Sequence, residues 1–154
     1  MMRYLLDTNI VSEVTKPRPS SLLLHWLGQQ EDDSLFISTL TLGEIHKGIL
    51  EMPVGRRQKE LHEWFNSKQG PPALFSGRIL SLDEPAALCW ARLMAEGRLQ
   101  GRPRSPLDMM IAAIAIHHNC QIVTANEKDF AGLSILNPLR TDRPTASDNR
   151  GTSG

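Results

Sequence analysis

Ser105-Pro106-Leu107-Asp108-Met109-Met110-Ile111-Ala112-Ala113-Ile114-Ala115-Ile116 decides the fold class. Ser at a cap position, Pro at the first helical position and Asp two residues later mark a helix start. The eight residues from Met109 to Ile116 carry no polar side chain. A helix apolar on every side is buried. Such a helix needs partners on both flanks, and Gln121-Ile122-Val123-Thr124 follows it at once as a short strand. Asp108 stands at the entry of this buried helix, where an unpartnered carboxylate must be neutralised, hydrogen-bonded or bound to a cation.

Upstream the same alternation repeats. Residues 3–6 read as a buried strand ending at Asp7, with a short helix over about 9–15 stopped by Pro17 and Pro19. Apolar spacing predicts a helix from Ser20 to Gln30. Ser34 to Ser38 reads as a strand, followed by helices over about 41–51 and 55–68. Gly70-Pro71-Pro72 reads as a loop, Arg78 to Leu82 as a strand and 84–99 as a long helix. Gly101-Arg102-Pro103-Arg104-Ser105 is a basic loop. Ser134 to Asn137 is a candidate fifth strand. Strands alternating with helices imply parallel strands joined by right-handed crossovers. The expected fold is α/β, one domain over 1–139 with a mostly parallel central sheet of four to five strands flanked by helices. Residues 140–154 are polar, lack an apolar period and are expected to be a disordered tail.

At 154 residues the chain can bury a real core. No apolar run approaches the roughly 18–20 residues that cross a membrane. Asp7 comes too early for a secretory leader, so a cytoplasmic location without membrane association is expected. Cys89 and Cys120 suit buried free thiols rather than a disulfide framework or a zinc motif. Lys plus Arg and Asp plus Glu each total 17, so the chain as a whole has no pull on nucleic acid. Any such binding needs a local basic patch.

Four stretches place acids at junctions between an apolar run and a turn or helix start. They are Leu5-Leu6-Asp7-Thr8-Asn9, Thr41-Leu42-Gly43-Glu44-Ile45, Pro106-Leu107-Asp108-Met109-Met110 and Thr124-Ala125-Asn126-Glu127-Lys128-Asp129-Phe130. An α/β fold gathers such junctions along one sheet edge. Each also has a local explanation. Asp7 can cap a helix. Thr41-x-x-Glu44 has the spacing of a capping box, and Ser105-x-x-Asp108 resembles one. Asn126 and Asp129 suit a turn or helix start. His117-His118 suits the dipole at a helix end; these two and His46 are assigned no catalysis.

Taken together and in order, these stretches resemble the PIN-domain nucleases, most closely toxin ribonucleases of VapC type and their FitB-like branch. Met2 to Glu13, Phe36 to Ile45, Gly101-Arg102-Pro103 through Asp108 with Ile111-Ala112-Ala113, and Ile122 to Phe130 match the family's successive motifs. The resemblance spans about residues 2–139. It implies a Mg²⁺- or Mn²⁺-dependent endoribonuclease, toxin component of a type II toxin-antitoxin system, that hydrolyses RNA phosphodiester bonds with a metal-activated water. Asp7, Glu44 and Asp108 fall on the family's acidic metal positions. Either Asn126 or Asp129 completes the catalytic set, and Thr124 matches a small hydroxyl residue beside it. Ala125 stands where relatives often carry a base. All-carboxylate ligation suits hard octahedral ions, one or two of them. Arg98, Arg102 and Arg104, around the loop feeding Asp108, are candidate substrate-binding residues.

The resemblance also implies a small cognate antitoxin, whose C-terminal segment would lie in a groove near the acids, and a homodimer. The competing reading is a non-catalytic subunit of a DNA-bound regulatory complex, its acids serving as caps and partner contacts; the neutral Asn126 keeps it open. A small phosphatase fits less well, because no Asp-x-Asp nucleophile motif is present.

Overall fold

The computed structural model describes residues 2–140. Five parallel strands form one sheet: β1 (Tyr4–Leu6), β2 (Leu35–Ser38), β3 (Ile79–Leu80), β4 (Gln121–Val123) and β5 (Ile135–Leu136), in spatial order β3-β2-β1-β4-β5. β1 is central, with Leu5 opposite Phe36 on one side and Ile122 on the other. The helices are α1 (Thr8–Glu13), α2 (Ser21–Gly28), α3 (Thr39–Leu50), α4 (Arg56–Phe65), α5 (Pro71–Leu74), α6 (Glu84–Leu99) and α7 (Pro106–His117).

Strand alternation divides the core. Leu5 and Ile122 pack on one face with α6 and α7, against Leu93, Met109, Ile111 and Ile114. Their neighbours Leu6 and Val123 point to the other face, against Ile10, Leu23, Trp26, Ile37 and Ile45. Both faces of a parallel sheet are thereby covered, which explains why its strands are continuously apolar. α7 buries Met109 and every residue from Ile111 to Ala115, as its composition requires; its two ends emerge, leaving Leu107 37% and Ile116 43% exposed. No helix among the described residues is long and apolar enough to cross a membrane. Cys89 is buried, Cys120 half-buried, and both are free.

Several boundaries depart from the sequence reading. Gly70-Pro71-Pro72 opens helix α5 instead of forming a loop, because Pro71 takes the first helical position, where its missing N–H costs nothing. Arg140, assigned to the tail, belongs to the ordered domain: its guanidinium pairs with Glu127 at 2.7 Å. The expectation for residues 141–154 lies outside the described residues.

Two helices end in left-handed turns. α6 closes in a Schellman turn: Arg102 N donates to Gly97 O at 2.8 Å and Gly101, at φ 69°, donates to Arg98 O at 3.1 Å. α7 closes the same way with Asn119 at φ 54°, Cys120 N donating to Ala115 O at 2.8 Å.

After the α6 turn, the basic loop folds back over Gly97. A Cβ there would meet Arg102 O at 2.8 Å and the Arg104 side chain at 3.0 Å. Gly97→Ala is expected to destabilise the domain by about 1–3 kcal/mol through overpacking. Gly48→Ala, at an exposed helical position with nothing within 4 Å, is expected to stabilise it by about 0.5–1 kcal/mol. Denaturant melts of the two variants read both signs.

Candidate active site

Asp7 follows the central strand and caps α1, its Oδ1 accepting from Thr8 N at 2.8 Å. Only 5% of it is exposed. Its Oδ2 accepts from the Thr124 hydroxyl at 2.9 Å and from Asn9 Nδ2 at 3.3 Å. Thr124, fully buried just beyond β4, also accepts from Asn126 N at 3.0 Å. Asn9 completes the tie between the two strand ends by accepting from Ala125 N at 3.1 Å.

Glu44 is not part of a capping box. The cap of α3 is Ser38, which accepts from Thr41 N at 3.0 Å. Thr41 is therefore inside the helix, and Glu44 sits a turn further on than its spacing suggested. Its carboxylate is released from cap duty and accepts from the Thr8 hydroxyl at 2.7 Å. Asp108 is likewise relieved: Ser105 caps α7, accepting from Asp108 N. Trp90 Nε1, from α6, donates to Pro106 O at 3.0 Å and anchors the same helix start.

The fourth stretch forms a 3-10 turn, Lys128–Phe130, pinned by fully buried Phe130. Asn126 Nδ2 donates to Asp129 Oδ2, so the amide holds the neighbouring acid. Glu127 points away, to Arg140 and Asn137.

Electrostatics show that the acids converge. Burial pushes the Asp7 carboxyl up; hydrogen bonds from Thr124 and Thr8 oppose this, and the charges of Glu44 and Asp129 add to it. Asp108 is also raised, first by burial and then by the charge of Asp7, with Asp129 contributing; its contact with Ser105 acts the other way. Among the described residues, no Lys, Arg or His forms a salt bridge with any of these four acids.

The arginines separate. Arg104 is largely committed to the scaffold, donating to Leu93 O at 2.9 Å and lying 3.8 Å from Glu96. Arg102 and Arg104, with Lys128 and Asp129, line a polar cleft of about 260 Å³. Arg98 and Met94 line an adjoining depression that shares Pro103 and Arg104 with that cleft.

The PIN domain profile matches residues 4–136. The chain belongs to the PIN-domain family. This PIN domain is 37% identical over 136 residues to the plasmid stability protein StbB of Pseudomonas syringae pv. tomato, covering 87% of this chain and 96% of that one. It is 36% identical over 137 residues to the VapC ribonuclease Y4jK of Sinorhizobium fredii, covering 86% and 95%. In structure it is similar to a chain of FitAB bound to an IR36 DNA fragment, with TM-score 0.82, 30% identity and coverage of 92% and 99%.

Thr8 and Asn9 are residues whose hydrogen bonds to these acids and strand ends the sequence reading missed. Both lie in the first acidic stretch, but nothing in one sequence distinguishes a hydroxyl that reaches Glu44 from one that faces solvent.

The raised Asp108 carboxyl gives a pH prediction. Its ionisation costs nothing below the ordinary value of 3.8, where folded and unfolded chains are both protonated. The cost grows as pH rises through the raised folded value. In EDTA, Asp108→Asn is therefore expected to melt a few degrees above the wild type at pH 7.5, with the gap closing towards pH 4. Thermal melts across that range check it; a constant gap would assign the effect to something other than charge.

Proposed function

We propose that this PIN domain is a divalent-metal-dependent endoribonuclease and the toxin half of a toxin-antitoxin pair. The observation that carries the reading is the gathering of Asp7, Glu44, Asp108 and Asp129: Glu44 and Asp129 push Asp7 up, Asp7 and Asp129 push Asp108 up, and among the described residues none of the four forms a salt bridge. An all-oxygen donor set with uncompensated negative charge fits a hard cation such as Mg²⁺ or Mn²⁺. Asp7, Asp108 and Glu44 would hold it, with Asp129 adding charge beside them. A divalent ion bound there supplies Lewis acidity towards a phosphodiester and makes water a better nucleophile at neutral pH.

The chain's own work is positioning. Thr8 N, Asn9 and Thr124 fix both oxygens of Asp7, the Thr8 hydroxyl orients Glu44, and the Asn126 amide orients Asp129. Asn126 thus does not leave the pocket an acid short, which removes the main support for a purely non-catalytic subunit. Arg102 and Lys128, beside Asp129 in the polar cleft, are our assignment for contacts to RNA phosphates. Arg104 shapes that cleft, and Arg98 reaches only RNA that extends over α6.

A second groove of about 200 Å³ runs from Thr8 and Glu44 along Ser12, Ile45 and Gly48 to Trp64. Its apolar floor and acidic end suit an antitoxin segment that carries a basic side chain to Glu44. Similarity to the VapC ribonuclease Y4jK, to the toxin FitB of Neisseria gonorrhoeae at 32% identity, and to chains of the FitAB and VapBC complexes supports the assignment. Homodimer formation and a cytoplasmic setting belong to the same proposal; Leu88 and Leu99 on α6 are 64% and 86% exposed and offer apolar surface for a second copy.

Partner-free protein is expected to cut a structured-RNA mixture at discrete sites with Mg²⁺ or Mn²⁺ and not with EDTA. Asp108→Asn should lower the rate by about 10²–10³-fold or more, the scale of losing one charged group that stabilises the transition state, while remaining folded. Cutting that survives both EDTA and the substitution would reject the assignment.

A further inference from the structure

The last residue of α7, His117, its cap, His118, and the cap of α6, Asp83, meet at a point the nuclease site does not use. Their ligand atoms all lie within 4.8 Å of one another. Asp83 Oδ1 is occupied, accepting from Ala86 N at 3.0 Å. Its Oδ2 faces both imidazoles, 3.6 Å from His117 Nε2 and 3.9 Å from His118 Nε2. These separations exceed hydrogen-bonding distance. They approach the ~3.3 Å between two ligands that each sit about 2.0–2.1 Å from one tetrahedral ion.

We propose that Asp83, His117 and His118 form a Zn²⁺ site that joins the start of α6 to the end of α7. Two imidazoles and one carboxylate are a borderline donor set that suits zinc better than magnesium, and three protein ligands leave a fourth position for water. The ligands are partly exposed, so an ion has access. They are also partly preorganised. The Schellman turn at Asn119 fixes the backbone of the two histidines, and the helix cap fixes Asp83, so less ordering remains when the ion binds.

Burial and the neighbouring His117 hold the His118 imidazole below its ordinary value of 6.5, against the pull of Asp83 and with help from Arg3, which favours the neutral ligand form. Arg3, whose Nη1 donates to His118 O at 3.0 Å, is a nearby charge opposing a cation, and Asp83 offsets it. The site is separate from the acids. Asp108 and His117 are nine residues apart on one helix, about 14 Å along its axis. Arg3 precedes β1, whereas Asp7 follows it.

The test is calorimetric titration of tag-free full-length chain with ZnCl₂ in excess Mg²⁺, with thermal melts alongside. One zinc per chain is expected, raising the melting temperature. Binding should persist in Asp108→Asn and weaken at least tenfold in His117→Gln/His118→Gln. Asp83→Asn is the decisive variant. Asn caps helices as well as Asp, so its zinc-free melt should match the wild type while its zinc response is lost. No zinc uptake would mean that Asp83 only caps α6 and that the histidines beside it hold no ion. Zinc uptake abolished by Asp108→Asn but kept in the double histidine variant would place the ion among the acids; either result overturns the proposal.

Discussion

The buried carboxyl group of Asp7, at the end of the central strand and 5% exposed, is the constraint around which the rest of the domain is arranged. Burial opposes its charge, and three hydrogen bonds only partly offset that. Those bonds recruit the first residues of α1 and the residue that ends β4. Fixing Asp7 therefore also fixes how β1 and β4 terminate relative to each other. Asp7 N donating to Val123 O at 2.9 Å and Thr124 N donating to Leu136 O at 3.0 Å carry the same edge across to β5.

α7 serves that edge from below. It lies between the sheet and α6, so it must be apolar almost all the way round, and its own polar groups are confined to its two ends. At the entry, Ser105 satisfies the backbone and leaves Asp108 for the site. At the exit, the Asn119 turn satisfies the backbone and leaves both histidines facing Asp83. The same division appears in α3, where Ser38 caps and Glu44 is left free. In α3 and α7 a serine meets the needs of the backbone and the acid is left free, whereas at α1 and α6 one aspartate caps with one oxygen and leaves the other available.

That division explains what was legible. The parallel sheet, the helix order and the buried α7 follow from period and length, because burying both faces of a sheet leaves little choice of residue. Asp7 and Asp108 were readable as acids in apolar settings. Glu44 was readable only through the family resemblance: its local spacing pointed to a capping box that does not form, since Ser38 and Thr41 both suit a cap and the choice depends on where β2 stops. The fourth stretch was ambiguous for a similar reason. Asn126 and Asp129 are three residues apart, and only the 3-10 turn shows that one holds the other. Arg104 read as a candidate substrate contact because its acceptor, Leu93 O, lies on a helix brought alongside by the turn at Gly101.

Helix starts and acids coincide here for a reason beyond capping. α1, α3 and α7 all begin beside the acids, and each helix N-terminus contributes roughly +0.5 of a charge. These dipoles reduce the mutual repulsion of the carboxylates without neutralising them, and no salt bridge among the described residues does so. Capping alone does not account for Glu44 and Asp108, because a short hydroxyl side chain is enough for a cap and Ser38 and Ser105 already do that work. The negative charge left over is why the arrangement favours a metal-dependent reading over a purely structural one.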